Sequence, residues 1–414
     1  MFLKLRKWMI ISMLFIAAIT VTCSFRLATT TNANTDWKRI GEGHLRVVPY
    51  GTDYLLYPSP ATFFKRGKNS TGKEFVIKTK KAYILHLSKD ELQIIPARMV
   101  ENTVQRGRFK FPTMIINNKI FLGNREKTLR TANENMITDD EHFSNLWRVD
   151  KQSNITPLIN DSNVAEIKLK MNKMNETRGE NKLHLVWATE PHILKKGQQI
   201  AFASNKNSVL QGSADMSLYT INEDGTNERL LVDAAKYGNQ QVVGVGDDTI
   251  VSLNPSKFNI VVSSTSSQEI NVYPINGWAE SVSPSGRFVL FRQVIDVTIM
   301  PDLYVYDIEK QATLKITGMP KDHFYNAGGE WSEDGSRFAF IANGEKQINK
   351  KNPLYRDNNV LVVLDTSDMT ISSFGKPNQA ASIYPSASLS WIGSSNILIY
   401  LDDDSAWIAT LNKK

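Results

Sequence analysis

The feature that most constrains this chain is internal repetition. A tight turn followed by an apolar, aromatic-capped run occurs as SVSPSGRFVLF at 281–291, EWSEDGSRFAF at 330–340 and SWIGSSNILIY at 390–400, with a fainter copy, PHILKKGQQIAF, at 191–202. In each, a tetrad such as Ser283-Pro284-Ser285-Gly286 supplies the preset φ and the terminal glycine of a turn, and the β-prone run after it enters a core. A second pattern follows the first: an alternating strand, a polar turn on Asp or Asn, and another strand. It reads YILHLSKDELQIIP at 83–96, LWRVDKQSNITPLI at 146–159, LYTINEDGTNERLLV at 218–232, LYVYDIEKQATLKIT at 303–317 and LVVLDTSDMTISSF at 361–374. Period-two alternation across a short polar turn predicts a β-hairpin.

Spacing converts the hairpins into an architecture. They start near residues 83, 146, 218, 260, 303, 361 and 406, and the short intervals match the roughly 40–50 residues of one four-stranded propeller blade. The longer intervals carry polar insertions, Gly344–Asn358 and the Lys/Asn-rich stretch Asn160–Glu180, which predict surface loops. One blade cannot bury both of its faces, so neighbours must stack, and a closed ring removes most strand edges. The expected fold is all-β: a single propeller of about seven four-stranded blades, with six to eight within the spread of the intervals. The last unit, Leu389–Leu411, has room for three strands only, so a fourth is expected from the N-terminal end, with Leu45–Tyr50 as the candidate.

The SPSGRFVLF and WSEDGSRFAF copies, each followed by a strand such as LYVYD or VLVVLD, resemble the TolB-like, or WD40-like PD40, β-propeller family over about residues 190–412. The resemblance implies an exported scaffold that binds other proteins through its top face or channel, and it implies no activity. The unit at Gln241–Ile275 departs from the pattern by losing the Pro and Gly of the turn.

Ahead of the repeats, Lys4, Arg6 and Lys7 precede the apolar run Trp8–Val21, and small or polar residues follow to Ala33. That order predicts a secretory signal in residues 1–33, cut after Thr31-Asn32-Ala33, with the propeller in 34–414. Two alternatives stay open: residues 8–25, about 27 Å as a helix, as a retained membrane anchor, and lipidation of Cys23. The chain after the leader has no cysteine, which excludes disulfides and thiolate metal sites there. Removing four leader cations leaves 45 basic against 42 acidic residues, so the charge falls from +7 to +3. No basic stripe interleaved with aromatics accompanies it, and nucleic acid is not expected as a partner.

A search for chemistry returns few residues. No Gly-x-Ser-x-Gly pentad occurs, and no chain is left over for a hydrolase domain; Gly212-Ser213-Ala214 reads as plain loop. The six histidines, His44, His86, His142, His184, His192 and His323, are scattered; His192 and His323 are the two that could converge on a channel. Trp278, ahead of a blade, is the third candidate for binding, whereas Trp331 and Trp391 occupy equivalent places and read as interblade core. Asp402, Asp403 and Asp404 are weak candidates for holding a divalent cation, and Asn222–Asn227 reads as a hairpin turn rather than a calcium loop. No cofactor and no catalytic set is predicted.

Three functions remain. The first is a noncatalytic, exported, monomeric propeller, secreted or attached to the outer face of the cytoplasmic membrane, that binds a protein or peptide partner in the cell envelope. The second is a lyase- or lactonase-type propeller enzyme with a divalent metal in the channel, and the third a membrane-tethered accessory to a sensor or membrane enzyme.

Overall fold

The computed structural model describes residues 31–32, 35–42, 45–58, 63–64, 74–75, 81–89, 91–95, 97–106, 109–116, 119–122, 135–138, 146–149, 155–159, 169–170, 172–173, 176–177, 188–194, 199–293, 302–325, 328–344, 359–377, 383, 389–401, 403 and 405–411. Most of leader 1–33, Cys23 included, and insertion 345–358 lie outside the described residues; of Asn160–Glu180, the described residues are helical. Among the described residues no helix is long and apolar enough to cross a membrane.

The strands fall into consecutive antiparallel sheets, lettered A to H in chain order. Sheet A runs Leu45–Tyr50, Asp53–Pro58, Ala82–His86, Glu91–Ile95. Sheets B (Ala97–Arg106, Phe109–Ile116, Lys119–Leu122) and C (Asn135–Thr138, Leu146–Val149, Ile155–Ile159) have three described strands each. Sheets D (Ala188–Ile193, Gln199–Ser204, Ser217–Asn222, Arg229–Val232), E (Gln241–Val245, Thr249–Asn254, Asn259–Ser264, Ile270–Pro274) and F (Gly277–Val282, Phe288–Gln293, Leu303–Asp307, Ala312–Lys315) are complete four-stranded meanders.

Sheet G begins with a broken inner strand, His323–Tyr325 and Glu330–Trp331, and continues through Arg337–Gly344, Val360–Asp365 and Thr370–Phe374, on whose outer edge Thr31–Asn32 pairs in parallel. Sheet H is Ser390–Ile392, Asn396–Tyr400 and Ser405–Leu411, completed by Thr35–Glu42 from the other end of the chain. The first strands of sheets C, D, E and F lie against one another in succession, as do those of G and H and of H and A, while sheets F and G share one core cluster. Four-stranded units meeting through their first strands, with one unit built from both chain ends, make a β-propeller.

The turn motif explains how each unit forms. Gly286 (φ 77°) and Gly335 (φ 69°) close the tetrads of sheets F and G, each donating its amide to the carbonyl of the leading serine at 2.8 Å. The arginine that follows reaches the aspartate ending the third strand. Arg287 grips buried Asp307 through Nε (3.1 Å) and Nη2 (2.8 Å), and Arg337 Nε stands 3.8 Å from Asp365. Sheet E, without the Pro-Gly tetrad, turns at Gly246, whose amide donates to the Thr249 carbonyl at 2.7 Å.

Between sheets the core is continuous. Phe338, Phe340, Val362 and Leu364 of sheet G pack on Leu290, Leu303 and Val305 of sheet F, and Ile341, Leu361 and Val363 pack on Ile397 and Ile399 of sheet H. Trp331 and Trp391 are buried, as expected of interblade core.

The closing strand is a correction. Leu45–Tyr50 does not complete the last unit; it is the inner strand of sheet A, and Thr35–Glu42 does the closing. The pairing shifts register between Arg39 and Gly41, and Trp37 and Ile40, three residues apart, lie on opposite faces as strand alternation requires. Trp37 packs toward the sheet G–H cluster and Ile40 toward the sheet H–A cluster.

Candidate functional site

The inner strands carry the chemistry that sequence reading missed. On those of sheets D to H sit three glutamates, Glu190, Glu280 and Glu330. Glu190 lies where sheet D shifts register between Thr189 and His192, with φ at 54°, and this left-handed kink swings its carboxylate across to sheet E. There its Oε2 accepts the Val242 amide at 2.8 Å and its Oε1 the Gln241 side-chain amide at 3.2 Å. Glu330 of sheet G accepts the Trp391 amide of sheet H at 3.2 Å, and its carbonyl accepts the Trp391 indole N–H at 2.7 Å. Both glutamates fasten one blade to the backbone of the next.

Glu280 behaves differently. It occupies the bulge of sheet F between Ala279 and Ser281, yet its Oε1 accepts from Nε and Nη2 of Arg292, on the neighbouring strand of its own sheet. Burial pushes its carboxyl up from the ordinary value, opposed by the Arg292 charge and hydrogen bond. The carboxylate side chain is 12% exposed and the guanidinium 29%, so the cation is the more accessible partner.

Across the joint stands Tyr325 of sheet G, buried, with its phenol pushed up first by burial and then by the Glu280 charge, and lowered by Arg292 and by a hydrogen bond from the Gly328 backbone. Gly328 (φ 81°) and Gly329 (φ 130°) lie between the two pieces of the broken inner strand. A Cβ on Gly328 would meet nothing within 4 Å, whereas one on Gly329 would strike the Phe338 ring at 2.4 Å and the Ala339 carbonyl at 2.7 Å. The arrangement offers a guanidinium, a carboxylate and a phenol beside open space.

The candidates from sequence are distributed as follows. Trp278 pairs with Arg292 across sheet F and is half-buried, its ring against the cluster between sheets E and F. His323 begins the inner strand of sheet G, two residues before Tyr325, and its Nδ1–H donates to the Lys321 carbonyl at 2.7 Å. Trp278 is thus the strand neighbour of Arg292 with its ring toward the E–F cluster, and His323 lies on sheet G two residues from Tyr325. His192 lies on sheet D, opposite Ala201.

Asp403 is exposed, and its Oδ1 accepts the Ser405 amide (3.0 Å) and hydroxyl, a turn-forming role; Asp402 and Asp404 lie outside the described residues. In the Asn222–Asn227 turn, Asp224 Oδ1 likewise accepts the Thr226 amide at 2.9 Å and hydroxyl at 2.6 Å. Among the described residues no three His, Cys, Asp or Glu side chains form a group suited to a metal ion. The signal that could have exposed the glutamates is their place two or three residues ahead of the turn serine, as in Glu280-Ser281-Val282-Ser283 and Glu330-Trp331-Ser332.

No family model matches the sequence, and no curated protein does. Among solved structures the chain is similar to an oligogalacturonate lyase in complex with manganese (11% identity, 94% of this chain and 99% of that one, TM-score 0.45). It is similar also to a catalytically inactive virginiamycin B lyase from Staphylococcus aureus with quinupristin (10%, 92% and 100%, 0.42) and to TolB from Acinetobacter baumannii (9%, 92% and 79%, 0.38).

Proposed function

We propose that this chain is an exported, noncatalytic β-propeller of six to eight blades that binds another envelope or extracellular protein or peptide. The observation that carries the reading is the employment of the inner-strand carboxylates. Glu190 and Glu330 are committed to the backbone of neighbouring blades and Glu280 to Arg292, so these acids act at separate joints rather than as one constellation. We read Arg292, the more exposed partner of that pair, as the group through which a ligand is held, with Trp278 and His323 as further candidates.

The test is capture from envelope extracts with residues 34–414 immobilised, alongside calorimetric titration of the same protein with manganese and calcium. A partner retained at stoichiometric level through washing, with no heat from either ion, supports the reading. Stoichiometric ion binding that raises the melting temperature, without a retained partner, overturns it in favour of a channel enzyme.

A further inference from the structure

The joint between sheets F and G is built unlike its neighbours. At the D–E and G–H joints an inner-strand glutamate takes a backbone N–H of the following sheet; at F–G the glutamate turns back to an arginine of its own sheet, and the facing inner strand is broken at Gly328-Gly329. A half-buried guanidinium needs a counter-charge at all times, because an unpaired one in a low-dielectric setting is costly. Glu280 supplies it from within the same sheet, its Oε1 meeting Nε and Nη2, and a guanidinium carries five donors in all, enough to engage a second carboxylate.

Resting on the binding role argued above, we propose that Arg292 is the anchor for a carboxylate of a peptide partner, and that Glu280 is the internal stand-in which that carboxylate displaces. The ligand oxygens would approach from the Gly328 side, where the backbone leaves open space, and the Tyr325 hydroxyl stands close enough to both charges to be perturbed by each. Displacement leaves Glu280 beside Tyr325 in a half-buried position where the neutral acid is the less costly form. No bond is made or broken beyond that exchange of hydrogen bonds and one proton taken up from solvent.

The experiment uses fluorescence anisotropy of a fluorescein-labelled Gly-Ser-Gly-Asp-Gly-Ser peptide with an amidated C-terminus, its Asn counterpart, and the Asn peptide with a free C-terminus. The proteins are the full propeller and its Arg292→Gln, Arg292→Lys, Glu280→Gln and doubly substituted forms. Expected are binding of a carboxylate-bearing peptide but not of the amidated Asn peptide, a loss of roughly tenfold or more in Arg292→Gln with Arg292→Lys between, and a gain of several-fold in Glu280→Gln.

The double variant removes both charges together, so it separates loss of the anchor from loss of the fold, which thermal unfolding monitors; it too should fail to bind. Equal binding by wild type and the folded double variant, weaker binding by Glu280→Gln, or no binding of either carboxylate peptide overturns the proposal. Displacement of a bound peptide by glucuronate with higher affinity than acetate assigns the site to sugar acids and overturns the peptide assignment. Capture of one envelope partner equally by wild type and the double variant overturns the anchor while leaving the binding role standing.

Discussion

Removing one oxygen atom, by Tyr400→Phe, tests how the ring is closed. Tyr400 ends the second strand of sheet H and is 1% exposed, and its hydroxyl both donates to the Leu45 carbonyl and accepts the Leu45 amide at 3.1 Å, joining residues 355 apart in sequence. Leu45 opens the inner strand of sheet A, so this hydroxyl bonds the last blade to the first. The ring of Tyr400 packs with Leu56, Leu85, Ile392 and Leu398, and phenylalanine keeps those contacts, so no sizeable cavity arises. The variant leaves a buried N–H and a buried C=O short of a partner, each costing about 1–3 kcal/mol, and removes the desolvation cost of the phenol. A net loss of about 2–3 kcal/mol is expected, or roughly 3 °C in melting temperature for a chain of this size. Urea unfolding followed by tryptophan fluorescence measures it, with Tyr54→Phe as the control, since the Tyr54 hydroxyl makes an exposed 3.4 Å contact with Glu333 and its loss should fall within about 0.5 kcal/mol. If Tyr400→Phe proves no more destabilising than the control, the buried closure bond contributes nothing and the reasoning fails.

Three further outcomes are expected. Gly277→Ala places a methyl 2.3 Å from the Arg292 carbonyl oxygen and 2.7 Å from the Phe291 ring and should cost about 1–3 kcal/mol or more in thermal unfolding; Gly375→Ala, with nothing within 4 Å, should be neutral or slightly stabilising. Burial works to raise the Asp307 carboxyl, but the Arg287 fork and the Lys310 amide outweigh it and hold the group below its ordinary value. Its contribution is therefore present above about pH 4 and lost as pH falls through the folded value, so urea midpoints of wild type and Asp307→Asn should converge in acid and be far apart at neutrality. Glu280 has the opposite sign: with its folded value raised by burial, wild type should lose stability relative to Glu280→Gln as pH rises above about 4.3. Arg292 and Tyr325 are the charged and titratable groups that face it, and both are retained in that variant, so a pH dependence unchanged by the substitution would overturn the assignment to Glu280.

The sequence by itself determined the local units. The tetrads at Ser283–Gly286 and Ser332–Gly335 form where the glycine supplies a positive φ, and the alternating pairs 218–232, 303–317 and 361–374 form hairpins, because turn chemistry and period-two burial act over a few residues. The buried tryptophans at 331 and 391 were legible for the same reason, as equivalent members of a repeat.

The closing strand was not. Thr35–Glu42 reads TDWKRIGE, and the bulge near Gly41 breaks the alternation that would betray a strand, while the better-patterned Leu45–Tyr50 is inner strand to another sheet. Nor could the sequence say that Glu190 and Glu330 bind neighbouring blades while Glu280 turns to Arg292. Glu190 and Glu330 meet backbone amides 52 and 61 residues away, which only the stacking of complete sheets brings within reach, whereas Glu280 and Arg292 meet across one hairpin. Local turn and pattern energies fixed the blades, and the tertiary structure alone decided which strand closes the ring and which groups meet at its inner rim.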